Sequence, residues 1–270
     1  MSKKITTESN SLYDNLDLMS VKEILDSIHE EDKKIIPAVK KTIPQLNKLI
    51  TEILVRMKEG GRVFYTGAGT SGRLGVLDAS EIPPTFGIED MFIGVIAGGD
   101  TALRNAIESA EDNSMMGWED LQRYNIGIKD TVIGLTTSGQ TPYVMGAVIE
   151  AKKRGLLTAC ITCNPETEIA MAVDFPIVAI VGPEFVTGST RMKAGSAEKL
   201  ILNAISTSLM IKMGRVKGNM MVNMRISNKK LKERGVKMIM NNLCIEKVQA
   251  EQLLSQYGSV NKVFEAMKKD

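Results

Sequence analysis

Three times between residues 62 and 154 a short β-prone run ends in a cluster of small or hydroxyl residues and gives way to apolar residues at helical spacing. The first unit is residues 62–65, then Gly67-Ala68-Gly69-Thr70-Ser71-Gly72, then a helical stretch over 73–82. The second is 91–97, Gly98-Gly99 and a helix over 101–112 whose face carries Ala102, Leu103, Ala106, Ile107 and Ala110. The third is 131–136, the loop Ser138-Gly139-Gln140-Thr141-Pro142, and a helix over 143–154 stopped by Gly155. Two more strands are expected at 157–162 and 175–181, and a long buried helix at 196–213. Such alternation links parallel strands through right-handed crossovers that cover both faces of a sheet. The expected class is therefore α/β, a three-layer sandwich around a five-stranded parallel sheet.

The flanks differ. Residues 1–20 are polar and aperiodic, an arm or loop that can still reach a site, and residues 20–58 predict two helices broken near Pro37 or Pro44. Beyond Gly214 the chain turns basic and helical, over 229–241 and 246–256, with Gly258 as a stop. The expected division is 1–58 for the arm and N-terminal helices, 59–215 for the α/β domain and 216–270 for a short C-terminal helical appendage.

Composition excludes several functions. The 270 residues are 43% apolar, enough for a sizeable core, and 34 Lys+Arg against 32 Asp+Glu leave a net charge of +2, too small to draw nucleic acid or an anionic membrane surface. No apolar run approaches the roughly 18 to 20 residues of a membrane span, no secretory signal is visible, and three cysteines make no disulfide framework. A cytoplasmic location is expected. The single histidine, His29, rules out mechanisms that need several imidazoles, and among its acidic helical neighbours it reads as structural or surface-exposed.

The segment 67–72 satisfies the literal pattern G-x-G-x-x-G of dinucleotide-binding turns. The acidic residue that such turns want at the end of the second strand is missing, because that run ends in Ala97-Gly98-Gly99 and Asp100 comes late. Thr70 and Ser71 at a helix N-terminus suit an isolated phosphate equally well, and the turn also serves as a tight connection. Ser138, Gln140 and Thr141 repeat the arrangement after the third strand, where hydroxyls also cap helices. Two such loops at the carboxyl ends of parallel strands converge on one pocket, and hydroxyls in place of arginines suggest a phosphorylated sugar held by neutral donors.

With no spare histidine, acid and base work falls to carboxylates, lysines or tyrosines. Glu81 lies beside Ile82-Pro83-Pro84, surroundings that raise a carboxyl pKa and suit a proton donor. Glu108 and Glu111 share a face at i and i+3 if residues 101–112 are one helix, facing either the pocket or solvent. Residues 182–199 are too rich in Gly, Ser and Thr for a plain linker, and their Arg191 and Lys193 suit either an anion or nearby carboxylates. Cys160 and Cys163 form a C-x-x-C on an expected strand, a poor setting for redox or zinc chemistry. Met220, Met221 and Met224 read as fillers of a core or subunit contact.

As a set, GAGTSGRLG at 67–75, DASEIPP at 78–84, Ala110-Glu111-Asp112, SGQTPY at 138–143 and the segment 182–199 closely resemble the N-acetylmuramic acid 6-phosphate etherases, bacterial cell-wall recycling enzymes built on a sugar isomerase (SIS) domain. The resemblance runs from about residue 5 to the final helices and departs from the family at the C-terminus, where the helical lobe is short. It implies a cofactor-free, metal-free lyase that cleaves the D-lactyl ether at C3 of the sugar, giving N-acetylglucosamine 6-phosphate and D-lactate by elimination and rehydration. It further implies Glu81 as the acid that protonates departing lactate and Glu111 as the second catalytic carboxylate, the base at C2. Glu108 is then supporting. Gly69, Thr70, Ser71, Ser138, Gln140, Thr141 and Lys193 are the expected substrate contacts, and a homodimer with sites near the subunit interface is expected. Two alternatives stay open: a non-catalytic sugar-phosphate-binding regulator, which carries similar motifs, and a sugar-phosphate isomerase, which the same base at C2 and open-chain aldehyde would serve.

Overall fold

The structure is a computed structural model that describes residues 5–267, the side chain of Glu108 excepted. Its N-terminal helices are α1 (Val21–Asp32), α2 (Ile35–Lys40) and α3 (Ile43–Lys58). Ser20 starts α1 through a capping box, its hydroxyl accepting from the Glu23 N–H while the Glu23 carboxylate accepts from the Ser20 N–H. Three segments stand where two helices were expected, because the chain bends at Lys33-Lys34 and at Lys41-Thr42. Pro37 and Pro44 fall in the first turns of α2 and α3, where an N–H has no intrahelical partner to lose. Leu46, Leu49, Ile53 and Met57 form the buried stripe of α3.

The chain continues through β1 (Val63–Gly67), α4 (Gly69–Ser80), α5 (Ile82–Phe86), β2 (Phe92–Ile96), α6 (Thr101–Arg104), α7 (Met116–Gln122), β3 (Thr131–Leu135) and α8 (Pro142–Lys153). After these come β4 (Leu157–Thr162), α9 (Glu168–Ala172), β5 (Phe175–Val178), α10 (Lys193–Lys212), α11 (Lys229–Leu243), α12 (Lys247–Tyr257) and α13 (Val260–Ala266). The five strands are all parallel, in the order β2-β1-β3-β4-β5. Every residue of β1, β3 and β4 is buried, as a sheet covered on both faces requires. The order reverses between β1 and β3, the place where such sheets open a crevice at their carboxyl ends.

The chain divides into two compact units, one of Met1–Ala79 with Met91–Ser206 and the other of Ser80–Asp90 with Thr207–Asp270. The first holds the N-terminal helices and the sheet, and on one side of the sheet packs Phe64, Val132, Trp118, Val144, Val148 and Ile169. The second has its own core of Val222, Met224, Val236, Ile239, Leu254 and Phe264, against which Met220 and Met221 also pack. The methionine cluster therefore fills a core.

The expected helix over 101–112 is broken. α6 ends at Arg104, Asn105 is extended, and only Glu108–Asp112 turn again, as a 3-10 helix. Arg73 donates to the carbonyls of Leu103 at 3.2 Å and Asn105 at 3.4 Å, satisfying acceptors that the end of the helix leaves open. α4 begins at Gly69, ahead of the expected start at 73, so Thr70 and Ser71 lie in its first turn. β5 ends at Val178, short of 181. No helix of the described residues is long and apolar enough to cross a membrane.

Candidate active site

At the carboxyl end of the sheet, where strand order reverses, the loops after β1 and β3 wall a polar pocket of about 320 Å³. Ala68, Gly69, Thr70 and Ser71 line it from one side, and Leu135, Thr136, Thr137, Ser138 and Thr141 from the other. Glu111 enters from the 3-10 turn, Thr190 from the loop before α10, and Glu8 from the N-terminal arm. None of these described lining residues is a lysine or arginine.

The glycines of the first loop serve close packing. A Cβ on Gly67 would stand 2.7 Å from the Gly72 nitrogen, and one on Gly72 2.6 Å from Cγ1 of Ile96. This approach sets the start of α4 directly after β1, so the N–H groups of Gly69, Thr70 and Ser71 have no intrahelical partner and carry the positive end of the helix dipole. With two hydroxyls beside them they form an anion cradle of neutral donors.

In the second loop, the Thr136 hydroxyl shares hydrogen bonds with those of Ser138 at 3.2 Å and Thr141 at 2.9 Å, and accepts from the Gly139 N–H at 3.1 Å. Thr141 occupies the N-cap position of α8 yet its side chain makes no cap hydrogen bond. Capping does not account for that hydroxyl; its orientation comes from Thr136. Gly139 has φ +77, and a Cβ there would lie 2.4 Å from Cγ2 of Thr167. Only glycine closes this turn without strain.

The N-terminal arm is part of the pocket. Thr6 Oγ1 and the Thr7 N–H donate to Asn164 Oδ1 at 2.8 and 3.1 Å, while Asn164 Nδ2 donates to Thr7 Oγ1 and to the carbonyls of Thr137 and Ser138. Further along, Ser11 bonds Thr187 Oγ1 and the Phe185 carbonyl, and Tyr13 meets the Phe185 ring edge-on at 5.2 Å. These contacts bring Glu8 to the pocket wall, a residue that sequence reasoning did not single out beyond noting that the arm can reach a site.

Residues 45–152 match the family model described as the glucokinase regulatory protein N-terminal SIS domain. A relative from Bacteroides fragilis, named N-acetylmuramic acid 6-phosphate etherase, is 59% identical over 97% of this chain and 94% of its own length. One of the same name from Christiangramia forsetii is 57% identical over 99% and 98%, and one from Photorhabdus laumondii 45% over 95% and 85%. The chain belongs to the N-acetylmuramic acid 6-phosphate etherase family. Among solved structures, a phosphoheptose isomerase from Francisella tularensis superposes with a TM-score of 0.55 at 16% identity, covering 72% of this chain and all of that one, a likeness of fold. The expected fold class, the SIS-type α/β sandwich, holds. High coverage of the Bacteroides and Christiangramia etherases shows that the short C-terminal region is shared with them.

The residues that the etherase resemblance names do not all meet in one place. Gly69, Thr70, Ser71, Ser138, Thr141 and Glu111 line the polar pocket together. Gln140 is exposed and faces a neighbouring groove of about 670 Å³ between α7 and α8, lined also by Trp118, Met145 and Ile149. Lys193 is 1% exposed, its ammonium bonded to the Glu31 carboxylate and the Pro183 carbonyl. That pairing engages two of the three ammonium N–H donors inside the protein, and Lys193 is not among the residues that line the polar pocket. Its N–H and that of Ala194 donate to the Glu184 carboxylate at 3.0 and 2.9 Å, so the loop before α10 is held by carboxylates. Burial pushes the Glu184 carboxyl up from its ordinary value, whereas at Glu31 the same effect is outweighed by Lys193 and Lys34, which hold that carboxyl down.

Glu81 belongs to the second unit, as the N-cap residue of α5, and is exposed instead of packed among its apolar neighbours. The side chain of Glu108 lies outside the described residues. Glu108 and Glu111 sit together on the 3-10 turn beyond the broken helix, not on one α-helix running from residue 101. Cys160 and Cys163 are buried, and burial lifts the Cys160 thiol to about 12 and pushes that of Cys163 well up from its ordinary value. Both thiols are inert at neutral pH. His29 is exposed on α1.

Proposed function

We infer that this protein is a carbon–oxygen lyase that cleaves the D-lactyl ether of N-acetylmuramic acid 6-phosphate, releasing D-lactate and N-acetylglucosamine 6-phosphate. The observation that carries this reading is the meeting, in one pocket of a chain from the etherase family, of an anion cradle with the carboxylate-bearing Glu111. The helix N-terminus and the hydroxyls of Thr70, Ser71, Ser138 and Thr141 hold the 6-phosphate and sugar. Glu111 removes the C2 proton of the open-chain aldehyde, which the adjacent carbonyl acidifies. The electron pair forms the C2–C3 double bond, the C3–O bond breaks, and lactate oxygen takes a proton from Glu81, assigned by motif match. Water then adds its oxygen to C3 and a proton to C2.

Two coarser features complete the proposal. A second copy of the chain covers exposed apolar residues of the N-terminal helices, among them Val21, Leu25 and Val55. Free thiols at Cys160, Cys163 and Cys244 suit a reducing compartment, the cytoplasm.

Incubation with N-acetylmuramic acid 6-phosphate in heavy-oxygen water tests the reaction. D-lactate and one heavy oxygen in the sugar product are expected, and Glu111→Gln is expected to lower turnover by about 10²- to 10⁴-fold with product binding retained. Sugar phosphate bound by a folded protein that releases no D-lactate would sink the lyase in favour of a regulator or an isomerase.

A further inference from the structure

Ser71 lines the pocket and is 8% exposed; behind it, with no exposed surface, lies Glu198 of α10. One face of α10 packs on the start of α4. A Cβ on Gly195 would lie 3.5 Å from Thr70 Cγ2 and 3.9 Å from Leu74 Cδ1. Glu198 follows at i+3 and Lys199 at i+4, so both share that face. Lys199 bonds Asp78 of α4 at 2.6 Å, and Glu198 faces the Ser71 hydroxyl. Neither carboxyl oxygen closes a hydrogen bond of ordinary geometry with any described group, an expensive arrangement for a carboxylate.

We propose that Glu198 is a positioning residue for the anion cradle: as a neutral carboxylic acid it donates to Ser71 Oγ and so turns the Ser71 O–H toward the phosphate in the pocket. An ionised Glu198 reverses this bond. It accepts from Ser71, takes that donor away from the ligand and sets a negative charge behind the cradle. The inference rests on the reading of this pocket as a phosphate site.

The surroundings favour the neutral form. Burial, opposed only in part by Ser71, lifts the Glu198 carboxyl to about 8. Among the described residues, the two lysines nearest to it on α10 are both engaged elsewhere. Lys199 is engaged by Asp78, which also faces the Tyr65 hydroxyl of β1, and Lys193 is engaged by Glu31. The Cys163 thiol beyond β4 is neutral and, after burial, is raised further by Glu198 and Glu184. Across the pocket stand Glu8 and Glu111, both acidic.

The test is the affinity for N-acetylglucosamine 6-phosphate, by calorimetry from pH 7 to 9.5, a window above the second phosphate pKa of about 6 where the ligand stays a dianion. Wild type is expected to lose about tenfold in affinity across this window, the size of one hydrogen bond to a charged group. Glu198→Gln, whose amide donates at every pH, should bind like wild type at pH 7 and stay level to pH 9.5. Ser71→Ala should bind about tenfold more weakly at pH 7 and fall less steeply than wild type, by the part that the Glu198 charge alone causes. A flat wild-type profile, or the wild-type slope persisting in Glu198→Gln, would overturn the proposal. If wild type binds no sugar phosphate at any pH, the pocket reading falls with it. Binding with the expected slope but no D-lactate release would overturn only the lyase.

Discussion

Glu198 also makes a claim on stability that its role at the cradle does not require. Its carboxyl titrates at about 8 in the folded chain and near the ordinary 4.5 once exposed. Between those values the folded state holds a proton that the unfolded state has released, so stability falls as pH rises and levels off above about 8. Glutamine at this position removes the titration. Urea unfolding of Glu198→Gln is expected to show a gain over wild type that grows between pH 5 and 8 by roughly 1.4 kcal/mol per unit at most. Parallel stability profiles for the two proteins would mean that the carboxyl is hydrated. Glu184 is raised in the same sense, but the comparison of variant with wild type cancels it.

At the scale of elements, the loop between β5 and α10 is tied from below by charge and from above by the arm. Lys193 bonds Glu31 of α1 and the Pro183 carbonyl, Glu184 caps the first turn of α10, and Ser11 and Tyr13 dock on Phe185 and Thr187. Breaking a buried ion pair from one side leaves the other charge stranded, at a cost of about 3 to 5 kcal/mol. Lys34 still reaches Glu31 at 2.6 Å, so the lower end applies. Lys193→Met is accordingly expected to lower unfolding free energy by about 3 kcal/mol while KM stays within about twofold. An unchanged melting temperature with a large rise in KM would return Lys193 to the substrate.

Over the whole molecule, the position of the pocket follows from strand order. The chain leaves β1 for β2 on one side and returns to β3 on the other, so the loops after β1 and β3 part at their carboxyl ends and leave a crevice. The exposed apolar residues of the N-terminal helices belong to the same unit as this crevice; Val21 and Leu25, at i and i+4 on α1, are 73% and 62% exposed. Light scattering is expected to report a dimer, and the double variant Leu25→Glu, Val55→Glu a monomer with its helical content intact. A wild-type monomer at micromolar concentration would refute the assembly.

What the sequence determined by itself is the local order of things. Runs such as 63–67 and 131–135 are strands because buried β-prone residues fill both faces, and Gly155 at φ +79 and Gly258 at φ +74 end helices because left-handed backbone suits glycine. The two hydroxyl loops and their meeting were legible for the same reason, since each loop directly follows its own strand. The tertiary structure decided whatever depends on partners far along the chain. Arg73 bonds the Leu103 carbonyl at the helix end from 30 residues away, Asn164 pins Thr7 across 157, and Glu31 claims Lys193 across 162. Periodicity reports only which face of a segment is apolar. Whether a lysine meets a ligand or a buried glutamate, and whether a glutamate is exposed or sealed inside, is settled by packing that brings distant segments together.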